Sequence, residues 1–192
     1  MTPLETLLGE IRACRACVAH LPHEPRPVVR VRAEARILIA GQAPGRRVHE
    51  SGLPWDDASG DRLRAWMGLS RADFYDDTRI AVAAMGFCYP GTVKGVDLAP
   101  RPECAALWRA RLLQELKQVR LTLLVGGYAQ KWHLGARAKS TLSETVAAWR
   151  DYWPDVLVMP HPSWRNTPWL KRHPWFEQDC VPALQARVAA LI

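Results

Sequence analysis

Four short stretches of the chain are almost wholly apolar: residues 37–40, 80–85, 121–125 and 156–159. Runs of that length without polar alternation suit strands buried on both faces of a parallel sheet. Around them, apolar residues recur at helical spacing. Leu4, Leu7, Leu8 and Ile11 predict an amphipathic helix over residues 3–18. Ser59 is a candidate cap for a helix over 61–67, and Ser70 for one over 71–75. A helix over 102–117 opens with Pro102 and carries Leu107, Trp108, Leu112 and Leu116 on one side. Thr141 and Glu144 have capping-box spacing ahead of Val146, Trp149 and Tyr152. A last helix runs over about 175–191. The Pro/Arg-rich segment 20–36 reads as an extended connection, because each Pro disfavours helix for itself and its predecessor. This alternation predicts a three-layer α/β/α sandwich around a four-stranded parallel sheet.

Composition narrows the picture. A chain of 192 residues and 21.6 kDa suits one domain over 1–192. With 48% hydrophobic residues it is an ordinary globular chain. It has no run of 18 apolar residues to span a membrane. The opening MTPLETLLGEIRAC lacks a basic n-region, so a signal peptide is not expected and a cytoplasmic, nucleoid-associated bacterial protein is. The net charge of +7 is uneven. Residues 1–78 hold 11 basic and 11 acidic side chains, whereas residues 79–192 hold 15 and 8. Arg outnumbers Lys by 21 to 5. Arg forks suit phosphate, so a polyanion partner fits; an ordinary solvated surface fits the same numbers.

In parallel sheets, ligands sit beyond the carboxyl ends of the strands. The four loops there are GQAPG (residues 41–45), GFCYPG (86–91), GGYAQ (126–130) and PHPSWRN (160–166). The first is a tight turn whose N–H groups can face a carbonyl or phosphate oxygen. His161 in the last can polarise a carbonyl or stabilise an anion. Neither GxxxxGK[ST] nor GxGxxG occurs, which argues against a nucleotide cofactor. Five cysteines are too few for a disulfide scaffold and suit metal or redox work instead. A CxxC in a helix-like segment before the first strand does not match a thioredoxin-like site.

Taken together, GQAPG after an early strand, SGLPW (residues 51–55) shortly after it, and HPSW (161–164) after the last strand resemble the uracil-DNA glycosylase superfamily. The chain is most like its iron–sulfur (family 4-type) bacterial and archaeal class, with a divergent first motif. That class carries GE(G/A)PG, a TGxPF-like segment and an HP motif. It also has a CxxC and two further cysteines about sixteen positions apart around a Pro-rich loop. The counterparts here are Cys14, Cys17, Cys88 and Cys104.

The resemblance implies a glycosylase that hydrolyses the N-glycosidic bond of uracil or another deaminated base and leaves an abasic site. Its partner would be DNA carrying a damaged base, and the protein would act as a monomer. Trp55 would stack on a flipped base. Backbone N–H groups of Gln42 and Ala43 would face the base carbonyl, and His161 would stabilise the departing base anion. Pro44, Gly45, Ser163, Trp164 and Arg165 would grip or wedge the DNA. The four cysteines would hold a [4Fe–4S] cluster; four thiols also suit zinc, and buried cysteines without metal are the common alternative.

Three departures stand out. Several uracil glycosylases have Asp or Asn at the third position of the first motif, where this chain has Ala43, and its iron–sulfur class has Glu where this chain has Gln42. Asp56 and Asp57 are then the candidates for water activation, though Asp-Asp before Ala-Ser-Gly also suits a solvated turn and helix cap. A base-reading Asn is common in the second strand, where this chain has Ala84, with Met85 and Phe87 beside it. Asn166 is the only Asn in the chain. These departures also suit a catalytically silent, DNA-binding member.

Overall fold

In the computed structural model, which describes residues 2–192, the four apolar runs form one parallel sheet. Helix α1 (Pro3–Arg12) opens with a full capping box between Thr2 and Glu5 and buries Leu4, Leu7, Leu8 and Ile11. It stops before the cysteines and not at residue 18, as the spacing predicted. Beyond Ile11 the helical positions fall on Cys14 and Arg15, so no apolar face continues. Cys14 and Cys17 therefore lie after the helix and not in it. The connection then runs largely extended, with Arg30 bridging to Val82.

Strand β1 (Ile37–Ala40) leads into α2 (Arg46–Ser51), α3 (Ala58–Met67) and α4 (Arg71–Phe74). Asp57, not Ser59, caps α3, accepting from the Gly60 N–H at 2.8 Å. Ser70 caps α4 as expected. Strand β2 (Ile80–Val82) is shorter than the apolar run. Past Val82 the chain zips onto the loop after β1 instead: Ala83, Met85 and Gly86 donate to the carbonyls of Ile39, Gly41 and Gln42. A two-stranded hairpin, β3 (Thr92–Val93) and β4 (Val96–Asp97), follows.

Helix α5 (Pro102–Glu115) buries Cys104, Arg109 and Leu112, while Leu107 turns to solvent. Strand β5 (Leu121–Val125), α6 (Gly127–Leu134), α7 (Leu142–Ala147) and β6 (Val156–Met159) come next. The capping box of Thr141 and Glu144 is present. Helix α8 (Thr167–Arg172) follows, and the last predicted helix is present from Trp175 onward, opening with a π-turn (Phe176–Cys180) that runs without a break into α9 (Val181–Ala189).

The sheet order is β2-β1-β5-β6. Successive strand residues face opposite sides. Leu38, Ala81 and Ala83 pack against α1 and α5. Ile37, Ile39, Ile80 and Val82 pack against α3 and α9. The result is the three-layer sandwich, with β1 and β5 side by side at the point where the chain reverses direction across the sheet. A cleft outside the carboxyl ends follows from that reversal. No helix of the described residues is long and apolar enough to cross a membrane.

Candidate functional site

A cleft of about 550 Å³ opens at that edge. The loops after β1, β2 and β6 line it, and GGYAQ does not. The third loop turns straight into α6, where buried Gln130 donates to the carbonyls of Leu124 and Met159 and stitches β5 to β6.

The GQAPG loop is held through its carbonyls by the chain after β2. Its N–H groups at Gln42 and Ala43 take no partner among the described residues. Both residues are half-buried at the cleft wall, where such donors can meet a ligand's acceptor. The side-chain amide of Gln42 is already committed, donating to the Leu98 carbonyl at 3.1 Å.

Trp55 lies across this loop. A Cβ on Gly41 would come within 3.0 Å of the indole, so only glycine lets the ring settle there. Trp55 itself adopts φ 59°, a left-handed conformation that costs a bulky residue about 1–2 kcal/mol. The neighbourhood fixes it. Buried Arg64 donates to the Trp55 carbonyl at 3.1 Å, and the Tyr75 hydroxyl donates to the Pro54 carbonyl at 3.0 Å. Gly60 leaves room, since a Cβ there would sit 1.8 Å from the same Trp55 carbonyl oxygen.

His161 tilts against the Trp55 indole with ring centroids 5.4 Å apart. The Ser163 N–H donates to its Nδ1 at 3.2 Å. That leaves the proton of the neutral ring on Nε2. Burial pushes the His161 pKa below the usual histidine range, against the opposing pull of Asp57 and Asp97. The ring is therefore a neutral N–H donor at neutral pH. Asn166 donates to the His161 carbonyl at 2.7 Å and fixes the loop from behind.

The sequence-predicted residues divide. Gln42, Ala43, Pro44, Gly45, Trp55, Asp57, His161, Ser163, Trp164 and Arg165 all line the cleft. Asp56 does not. It pairs with Arg71 at 2.8 Å and with Arg47 at 3.9 Å, and the hydrogen bond from Arg71 holds its carboxyl below the usual range. Ala84 and Asn166 line the cleft, whereas Met85 and Phe87 are buried away from it.

Two residues escaped the sequence reading. Asp97 reaches the cleft from the hairpin, its carboxylate accepting from the Thr92 hydroxyl at 2.8 Å. Nothing local in sequence links it to His161. Arg109, 1% exposed, donates to the carbonyls of Ala83 and Ala84 at 2.5 and 3.2 Å. Its Nη2 lies 2.9 Å from Nε2 of His133, and among the described residues no carboxylate pairs with it. It anchors the backbone that carries Ala84. Its signal was an Arg at helical spacing from Leu112 and Leu116, where an apolar residue belongs.

On the far side of the β2–α5 connection, Cys14, Cys17, Cys88 and Cys104 line one recess with Pro25, Pro27, Phe87, Arg101 and Trp108. The Phe87 N–H donates to the Cys104 sulfur at 3.3 Å. Burial raises the Cys17 thiol, pushes Cys88 up to about 11 and pushes Cys104 up to about 12, and the nearby thiols add to each rise. Among the described residues, no three His, Cys, Asp or Glu side chains converge on a single ion. Cys180 belongs to the core beside α9.

Free N–H donors, a half-buried indole and a neutral imidazole thus share one cleft at the carboxyl edge of the sheet. A family model described as the Uracil DNA glycosylase superfamily matches residues 29–185, a span that takes in that cleft, Cys88 and Cys104 but not Cys14 and Cys17. The chain belongs to this superfamily, and its function is of the DNA-glycosylase type.

Proposed function

We propose that the protein is a monofunctional DNA glycosylase that removes uracil or another deaminated base from DNA and leaves an abasic site. The convergence of unpartnered Gln42 and Ala43 N–H groups, the Trp55 ring and the His161 Nε2–H in one cleft carries this reading. A base must leave the stack before its glycosidic bond is accessible. Trp55 offers it a stacking face, and the loop N–H groups meet a base carbonyl. As the bond between C1′ and the base nitrogen breaks, its electron pair moves onto the base. His161 donates a hydrogen bond to the charge that develops there. Asp57 lines the same cleft and guides the attacking water, whose oxygen bonds to C1′ as one of its O–H bonds breaks and the proton passes to the Asp57 carboxylate. Among the described residues the cleft lining holds no lysine, so no amine is placed to form a Schiff base with the sugar.

The four cysteines fit a [4Fe–4S] cluster. They line one recess, and a backbone N–H already points at one sulfur. Cys14, Cys17, Cys88 and Cys104 would hold it. When bound, it would cross-link the N-terminal segment to the connection between β2 and α5.

A silent DNA-binding member is the second reading, favoured by Ala43 and Ala84 standing in the cleft without a carboxylate or an amide. The deciding experiment is base release from single- and double-stranded oligonucleotides, each carrying one uracil, hypoxanthine, xanthine or G·T mismatch, with alkali to reveal abasic sites. The proposal expects cleavage at one or more lesions. DNA retained on a gel without cleavage at any lesion would favour the silent reading.

A further inference from the structure

Between Cys88 and Cys104 the chain builds a hairpin that the spacing of thiols does not require. β3 and β4 join through Lys94 (φ 49°) and Gly95 (φ 74°), a pair of left-handed residues that matches the twist of a tight hairpin. Val93 and Val96 stand directly opposite in the register, so their side chains share one face at the tip. They are 54% and 53% exposed. A two-stranded hairpin this short is not stable alone. It is held by the cleft loops: Arg165 donates to the Gly95 carbonyl at 2.6 Å, and Gln42 donates to the Leu98 carbonyl just past β4. The Tyr89 hydroxyl bonds the Thr92 hydroxyl at its base.

The hairpin is continuous with the candidate active site, since Gly95, Val96 and Asp97 line the cleft. Next to it stands Trp164, 72% exposed. The Arg165 guanidinium lies 5.7 Å from the Trp164 ring centre while it grips Gly95, and so links the two apolar projections. The mouth of the cleft thus carries two apolar points with Lys94 and Arg165 beside them. The one carboxylate on the hairpin, Asp97, lines the cleft together with Gly45. Apolar wedges of this kind unstack base steps and kink a duplex, and adjacent cations take phosphates.

Resting on the reading that the cleft receives an extruded base, we infer that the Val93–Val96 tip is a second element that penetrates double-stranded DNA. It enters beside the target nucleotide and, with Trp164, fills the gap left in the stack, while Lys94 takes a phosphate. A single strand has no partner strand to part, so the tip acts on duplex and not on single-stranded substrate.

The test uses the full chain and a duplex carrying a tetrahydrofuran abasic analogue opposite 2-aminopurine, whose fluorescence rises on unstacking. The wild type raises that fluorescence. The variant Val93→Ser, at the exposed tip and outside the cleft lining, loses most of the rise and binds the duplex several-fold more weakly, with single-strand affinity changed less than about twofold. Val93→Thr, which keeps a strand-forming side chain, gives an intermediate loss. An unchanged rise in the serine variant, equal losses on single and double strands, or no rise with the wild type would each overturn the inference. Base release is measured separately on the matching duplexes. A wild type that unstacks 2-aminopurine but releases neither uracil nor hypoxanthine, xanthine or mismatched thymine from the matching duplexes contradicts the glycosylase reading while the hairpin result stands.

Discussion

The candidate cleft and the cysteine recess lie on either side of one connection, and they are built on opposite principles. The cleft is open, its backbone donors are unpartnered, and its histidine is kept neutral by burial. The recess gathers four thiols among prolines and aromatic rings, and burial makes Cys17, Cys88 and Cys104 harder to deprotonate. Unsatisfied donors around open space suit a ligand that comes and goes. Thiols that resist ionisation until a cation arrives suit a group bound once, during folding. The connection between them carries Ala84, Cys88 and the hairpin, and it leads into Cys104 in the first turn of α5. A change in the recess therefore reaches the cleft through a short covalent path.

Changes in the recess should have the largest effect. Cys88→Ser or Cys104→Ser should abolish iron–sulfur absorbance and lower the thermal midpoint by roughly 10 °C or more. Absorbance spectra and thermal melts of anaerobically purified protein would check this. Full retention of stability would separate the recess from the rest of the fold.

Within the cleft, Trp55→Ala removes the stacking face. Stacking on an aromatic ring is worth about 1–3 kcal/mol per base, so affinity for lesion-containing DNA should fall roughly tenfold or more. Titration of labelled oligonucleotide measures it. Unchanged affinity would return Trp55 to a packing role.

The two neighbouring aspartates offer a sharper contrast. Asn is as good a helix cap as Asp, so Asp57→Asn keeps the start of α3 and removes only the charge. Base release should slow by about 10- to 100-fold. Asp56→Asn, outside the cleft and paired with Arg71, should leave the rate within about twofold. Single-turnover kinetics on both variants would decide, and equal effects would mean that the cleft does not distinguish them.

The smallest effect concerns pH. Burial, and then Arg109, push His133 down to about 3, and burial also lowers His161. Both rings bind protons less readily when folded than when unfolded. Their contribution to stability is complete above the ordinary histidine pKa near 6.5 and is lost as pH falls through the folded values. The urea midpoint should drop below pH 6.5, with each ring contributing a slope of at most about 1.4 kcal/mol per pH unit. His133→Gln should flatten that slope.

Much of this was legible before the structure. The four strands, the Thr141 capping box and the Ser70 cap follow from local pattern, because each depends on residues a few positions apart. The cleft loops were legible because the parallel sheet dictates where ligands sit. What was not legible depends on distant partners. β2 ends early because Met85 and Gly86 bond the GQAPG loop, some forty residues back in the chain. The left-handed Trp55 is fixed by Arg64 and made possible by Gly60, neither of which reads as a requirement on its own. Asp97 enters the cleft from a hairpin whose strands are two residues long, too short for any periodicity to register. Arg109 interrupts an apolar helix face because it bonds carbonyls of another element.

The central claim is that His161 acts as a neutral hydrogen-bond donor to the departing base. Its most direct test is His161→Ala, compared with the wild type for single-turnover base release and for DNA affinity on the same lesion. The rate should fall about 100-fold or more while affinity stays within about twofold. Equal rates for the two proteins, or a loss of affinity that accounts for the whole loss of rate, would contradict it.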